Sequence, residues 1–128
     1  MRKEILFRGK RLDNSKWLYG DLRHHKDDVC IFEQGGNKGE QVKRDTVGQF
    51  TGLTDKNGKR IFEGDIVRWN KDQKLYVVEF RSGMFYASVE PCNPHIYGGF
   101  PLWFLCEEEQ HCEIVGNRYD NPELLAAR

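Results

Sequence analysis

The segment Asp55-Lys56-Asn57-Gly58-Lys59 constrains this chain more than any other. Asn-Gly is the dipeptide that best tolerates two consecutive positive φ values, so it predicts a tight reversal between strands. The flanking residues agree. Val47-Gly48-Gln49-Phe50-Thr51-Gly52-Leu53 leads in, and Ile61-Phe62 leads out into Glu63-Gly64-Asp65-Ile66-Val67-Arg68-Trp69, where Ile66/Arg68 alternate against Val67/Trp69 as on a pleated strand. Gly64 marks a bulge or a close approach, and Asp65 is placed to accept hydrogen bonds from turn amides. These residue types read first as a folding device. A catalytic pair of Glu63 and Asp65 would need surroundings that push their pKa values apart, and nothing in the sequence supplies them.

Short strands bounded by turn residues dominate the rest, which predicts a mainly β chain forming small curled antiparallel sheets or a barrel-like arrangement. Ile5-Leu6-Phe7 is the first apolar run. Trp17-Leu18-Tyr19-Gly20-Asp21-Leu22 follows, with Trp17 and Tyr19 on one face and Leu18 on the other. Val29-Cys30-Ile31-Phe32 ends at Gly35-Gly36. After Trp69, Leu75–Phe80 and Met84–Val89 return in succession as a meander. Residues 90–101 hold Pro91, Pro94, Pro101 and Gly98-Gly99 and read as a long surface loop, and Pro101–Leu105 is a further apolar segment. Glu113-Ile114-Val115-Gly116-Asn117 is the last predicted strand. Asn121 as N-cap, Pro122 and Glu123 then open a short terminal helix, the only helix expected. At 128 residues without a linker or repeat, residues 1–128 are expected to form one domain.

Three blocks together resemble the YopX family of bacteriophage and prophage proteins. They are Trp17–Leu22, Thr46–Val67 and Glu113–Leu125. The resemblance spans nearly the whole chain and is weakest over residues 90–101. It implies an all-β fold and a phage-derived gene expressed inside a bacterial cell. It transfers no catalytic residues, and no cofactor is expected.

Twenty Lys/Arg balance twenty Asp/Glu, so the whole molecule has no long-range field to collect nucleic acid or an anionic membrane. The ends differ. Residues 1–26 carry eight basic against three acidic residues, and residues 106–128 carry two against six. Two ends that meet in the fold or between subunits account for this more simply than a basic nucleic-acid arm. No apolar stretch is long enough to span a bilayer, and Met1–Arg8 lacks the pattern of a signal peptide, so a cytoplasmic location without membrane attachment is expected. There Cys30, Cys92, Cys106 and Cys112 read as small buried hydrophobes rather than disulfides.

Cys92, His95, Cys106, His111 and Cys112 are the right residue types for zinc, but Cys106 and Cys112 have five residues between them where structural sites pair ligands more closely. No metal site is expected. His111 and Cys112 would lie on opposite strand faces, against a cysteine nucleophile. His24-His25 reads as a loop tip, and no phosphate-binding glycine motif is present. Without a catalytic constellation, the expectation is a non-enzymatic interaction module that engages a host or phage macromolecule. His95, Ile96, Tyr97 and Phe100 of the Pro/Gly loop are its candidate contacts, although the same apolar residues would also suit a homo-oligomer interface or the chain's own core. The alternative is a nucleic-acid-binding small β-barrel using Arg2, Lys3, Arg8, Lys10, Arg11, Lys16 and Arg23 as a phosphate track. Against it stand the zero net charge and the expected burial of Trp17, Trp69, Phe80 and Phe85.

Overall fold

Period-two patterning produces the strands of two compact units, Met1–Gly52 and Leu53–Arg128, with the boundary inside one strand. The computed structural model describes residues 4–33, 36–89, 98–107 and 111–126. In the first unit, β1 (Phe7–Lys10), β2 (Trp17–His25), β3 (Asp28–Phe32), β4 (Gly39–Val42) and the start of β5 (Gly48–Thr54) form an antiparallel sheet in the order β4-β3-β2-β1-β5. Leu18, Val29, Ile31 and Val42 are buried together on its inner face, with Phe7, Leu22 and Val47 packed against them. The register fixes the other face, because Gly9 lies opposite Leu18 and Lys10 opposite Trp17. Trp17 and Tyr19 therefore point away from the Leu18 core.

In the second unit, the end of β5 turns at Asn57-Gly58 into β6 (Arg60–Phe62). The predicted meander is present: β7 (Asp65–Trp69), β8 (Leu75–Arg81) and β9 (Met84–Ser88) pair in succession. β10 (Gly99–Pro101) and β11 (Cys112–Asn117) extend the sheet to the order β10-β9-β8-β7-β11. Val67, Trp69, Tyr76, Val78, Leu102 and Leu105 belong to its buried core. Both sheets are antiparallel and neither closes into a barrel.

Several sequence expectations change. Leu102–Leu105 is a helix, α1, added to the terminal α2 (Glu123–Ala126). Its Leu102 and Leu105, three apart, both reach the core, so helical spacing serves this apolar run better than alternation. The carboxamide of Asn121 accepts from the Asn117 amide, and its backbone carbonyl accepts from the Leu124 amide at the start of α2. Gly99–Pro101, expected in a loop, is a strand on β9. Phe80, expected in the core, is 57% exposed because it sits at the solvent end of β8 beside a hairpin turn. Trp17 is only half-buried, whereas Trp69 is buried and Phe85 packs on the core as expected.

Candidate functional site

The Asn57-Gly58 reversal is organised by Asp55, a residue only 6% exposed. Its Oδ1 accepts the amides of Asn57 and Lys59, both at 2.9 Å, and its Oδ2 accepts the amide of Ile114 at 3.0 Å. The Lys56 amide donates to the Cys112 carbonyl at 2.9 Å. One carboxylate thus shapes the turn and occupies the outer edge of β11, whose amides would otherwise lack partners. Two positive φ values are not needed. Gly58 alone of the pair adopts one, +79°, and its amide donates to the Asp55 carbonyl, as in a type I turn closed by a left-handed glycine.

Gly64 and Asp65 act in the same way. Gly64 has φ +96°, and a Cβ there would lie 2.8 Å from Cε2 of Tyr119. Its amide donates to the Val78 carbonyl, and its carbonyl accepts from the Arg118 amide. Asp65, 3% exposed, accepts the Phe62 amide on Oδ2 at 2.7 Å. On the far block, Asn117 Oδ1 accepts the amides of Tyr119 and Asp120. These are backbone-satisfying contacts.

The first unit differs. On the outer face of β1–β3, Arg8 lies over the Trp17 ring at 4.5 Å and Lys10 at 5.7 Å, while Arg23 lies over Phe32 at 4.3 Å. Tyr19, on the same face between them, is 44% exposed. Register produces the pattern: Arg8 pairs with Tyr19, Lys10 with Trp17, Asp21 with Phe32 and Arg23 with Cys30. Each cation over a ring contributes about 0.5–2 kcal/mol depending on desolvation. Arg8 is only 5% exposed and holds Trp17 in place, whereas Lys10, Tyr19, Arg23 and Phe32 keep accessible surface. The carboxylate of Asp21 lies on the same face and opposes an anion there. Flat rings with cations alongside can stack planar groups and hold phosphates.

A family model for the YopX protein matches residues 6–126. The chain belongs to the YopX family. Among solved structures, the crystal structure of protein EF1440 from Enterococcus faecalis is similar, at 20% identity and a TM-score of 0.58, covering 97% of this chain and 99% of that one. That likeness extends to the fold. No curated protein matches the sequence.

Within this YopX-family chain the remaining candidates disperse. Phe100 packs on Trp69 and Phe104, with centroids 4.9 and 5.6 Å away, against the second unit's core. His95, Ile96, Tyr97 and Cys92 lie outside the described residues, as do Arg2 and Lys3. Arg11 is held by Asp13 at 3.0 Å and reaches Glu40 at 3.4 Å; Lys16 is exposed on the β1–β2 turn. Among the described residues no three His, Cys, Asp or Glu side chains are grouped to hold a metal, and no helix is long and apolar enough to cross a membrane. Lys56, Arg68, His111 and Glu113 line a basin of about 90 Å³. That volume suits about three waters. Tyr19 and Phe32 are the partly accessible aromatics of this face that sequence reasoning did not single out. The available signal for Tyr19 is the parity it shares with Trp17 and Arg23 along β2.

Proposed function

We propose that this chain is a phage- or prophage-encoded accessory protein acting in the bacterial cytoplasm as a non-enzymatic binding module, with the outer face of β1–β3 as its contact surface for single-stranded nucleic acid. One observation carries the reading: Trp17, Tyr19 and Phe32 share that face with Lys10 and Arg23. Base–aromatic stacking contributes about 1–3 kcal/mol per base and tolerates any sequence. Local arrangement also answers the objection from zero net charge, since two accessible cations beside the rings suffice for phosphate contact.

Fluorescence anisotropy with short single-stranded oligonucleotides tests the proposal. Two phosphate contacts predict a log–log salt slope of about −1.4. The double substitution Tyr19→Ala with Arg23→Ala should weaken binding about tenfold or more, from the loss of one stacked base. No binding at low salt, or equal binding by the double variant, would refute this face as a nucleic-acid site. A host protein recovered in a pull-down that is lost with the same variant would reassign the face to a protein partner.

A further inference from the structure

Two thiols in the second unit face each other without a role in the proposed binding. Cys106 Sγ and Cys112 Sγ are 4.0 Å apart. Both residues are fixed by backbone hydrogen bonds: the Cys106 amide donates to Trp103 at the end of α1, and the Cys112 carbonyl accepts from Lys56 at the edge of β11. The two differ in access. Cys106 is half-buried, while Cys112 is only 1% exposed. Cys30, half-buried on β3, has no second thiol beside it among the described residues.

We infer that Cys106 and Cys112 form an oxidative modification site, in which a hydroperoxide converts the pair into an intramolecular disulfide. The accessible Cys106 thiolate attacks the peroxide O–O bond. One oxygen stays on sulfur as a sulfenic acid and the other leaves as alcohol or water. Cys112 then attacks the Cys106 sulfur, an S–S bond forms, and the sulfenic oxygen departs as water. In balance, two thiols and one hydroperoxide give one disulfide, one alcohol (or water) and one water. Sulfur is oxidised and the peroxide reduced.

The division of labour follows from the surroundings. The contact between the two thiols, in which either sulfur can donate, lowers the Cys106 pKa, although burial and the Asp55 carboxylate oppose this. The same contact and burial push the Cys112 thiol up, and its access marks Cys106 as the thiol a hydroperoxide reaches first. The sulfurs must close from 4.0 Å to about 2.05 Å to form the bond. The disulfide would tie the end of α1 to the first residue of β11, the strand whose Ile114 amide Asp55 accepts.

The full-length chain treated with tert-butyl hydroperoxide and digested without reductant tests this directly. Mass spectrometry should show the loss of two hydrogens and a cross-linked Cys106–Cys112 peptide before any change at Cys30 or Cys92. The variant Cys112→Ser should instead accumulate a sulfenic acid at Cys106 that dimedone traps, and Cys106→Ser should leave Cys112 reduced. Earlier oxidation of Cys30 or Cys92, or a Cys106 sulfenic acid that persists in the unsubstituted chain, would overturn the inference. The unsubstituted chain decides the matter even if a variant fails to fold.

Discussion

The two units use polar and aromatic residues in opposite ways. In the second unit, the carboxylates of Asp55 and Asp65 are turned inward to accept backbone amides, and Phe100 packs on the buried Trp69 at the core. In the first unit, Tyr19 and Phe32 stand on the outer face of a sheet whose aliphatic core lies on the opposite side, and Arg23 lies across one of the rings. Asp55 and Asp65, which look functional by type, are therefore structural in the second unit, while Tyr19 and Phe32 keep accessible surface in the first. Exposure separates them, since Asp55 and Asp65 are nearly sealed and Tyr19 is not.

Substitutions can break that contrast. The largest effect is expected from Asp55→Ala. It removes the acceptor for three backbone amides, and hydrogen bonds to a charged acceptor contribute about 1.5–3 kcal/mol each, not fully additively. Urea denaturation should show a loss of about 3 kcal/mol or more, with oligonucleotide affinity preserved in the folded fraction. A neutral substitution would mean that Asp55 is not the organiser of the turn.

Gly64→Ala comes next. Positive φ and the approach of Tyr119 act together, and thermal melting should register about 2 kcal/mol of destabilisation. Replacing Tyr119 by a smaller residue in the same background should recover part of it, because only the steric component would be relieved.

A smaller effect is expected at alkaline pH. Burial, and then the hydrogen bond from its hydroxyl to Asp72, raise the pKa of Tyr76 well above the ordinary tyrosine value. The unfolded chain then loses this proton first, so the contribution to stability is complete below about pH 10 and falls as pH rises beyond it. Tyrosinate absorbance should therefore appear for Tyr76 together with unfolding of the second unit. Replacement of Tyr76 by Phe should remove that part of the alkaline transition.

The reversal at Asn57-Gly58, the meander and the strand at the end were legible because turn residues and alternation act over a few positions. The partner of the turn was not. Asp55 and Ile114 are 59 residues apart, and only the placement of β11 at the sheet edge brings them together. Phe80 misled for a related reason: its parity matches Tyr76 and Val78, yet the core ends before it does. Residues 102–105 were too short an apolar run for periodicity to separate helix from strand. On β2, parity grouped Trp17 and Tyr19 correctly, and Arg23 shares their face. The outward direction of that face follows from the stronger claim of Leu18, Val29, Ile31 and Val42 on a small core.

The contrast between the units is tested most directly by amide chemical-shift mapping of the isotope-labelled chain titrated with a short single-stranded oligonucleotide. Saturable shifts should centre on Lys10, Trp17, Tyr19, Arg23 and Phe32 and leave the amides of residues 55–65 in place. Shifts centred on residues 55–65, or none at low salt, would contradict the account.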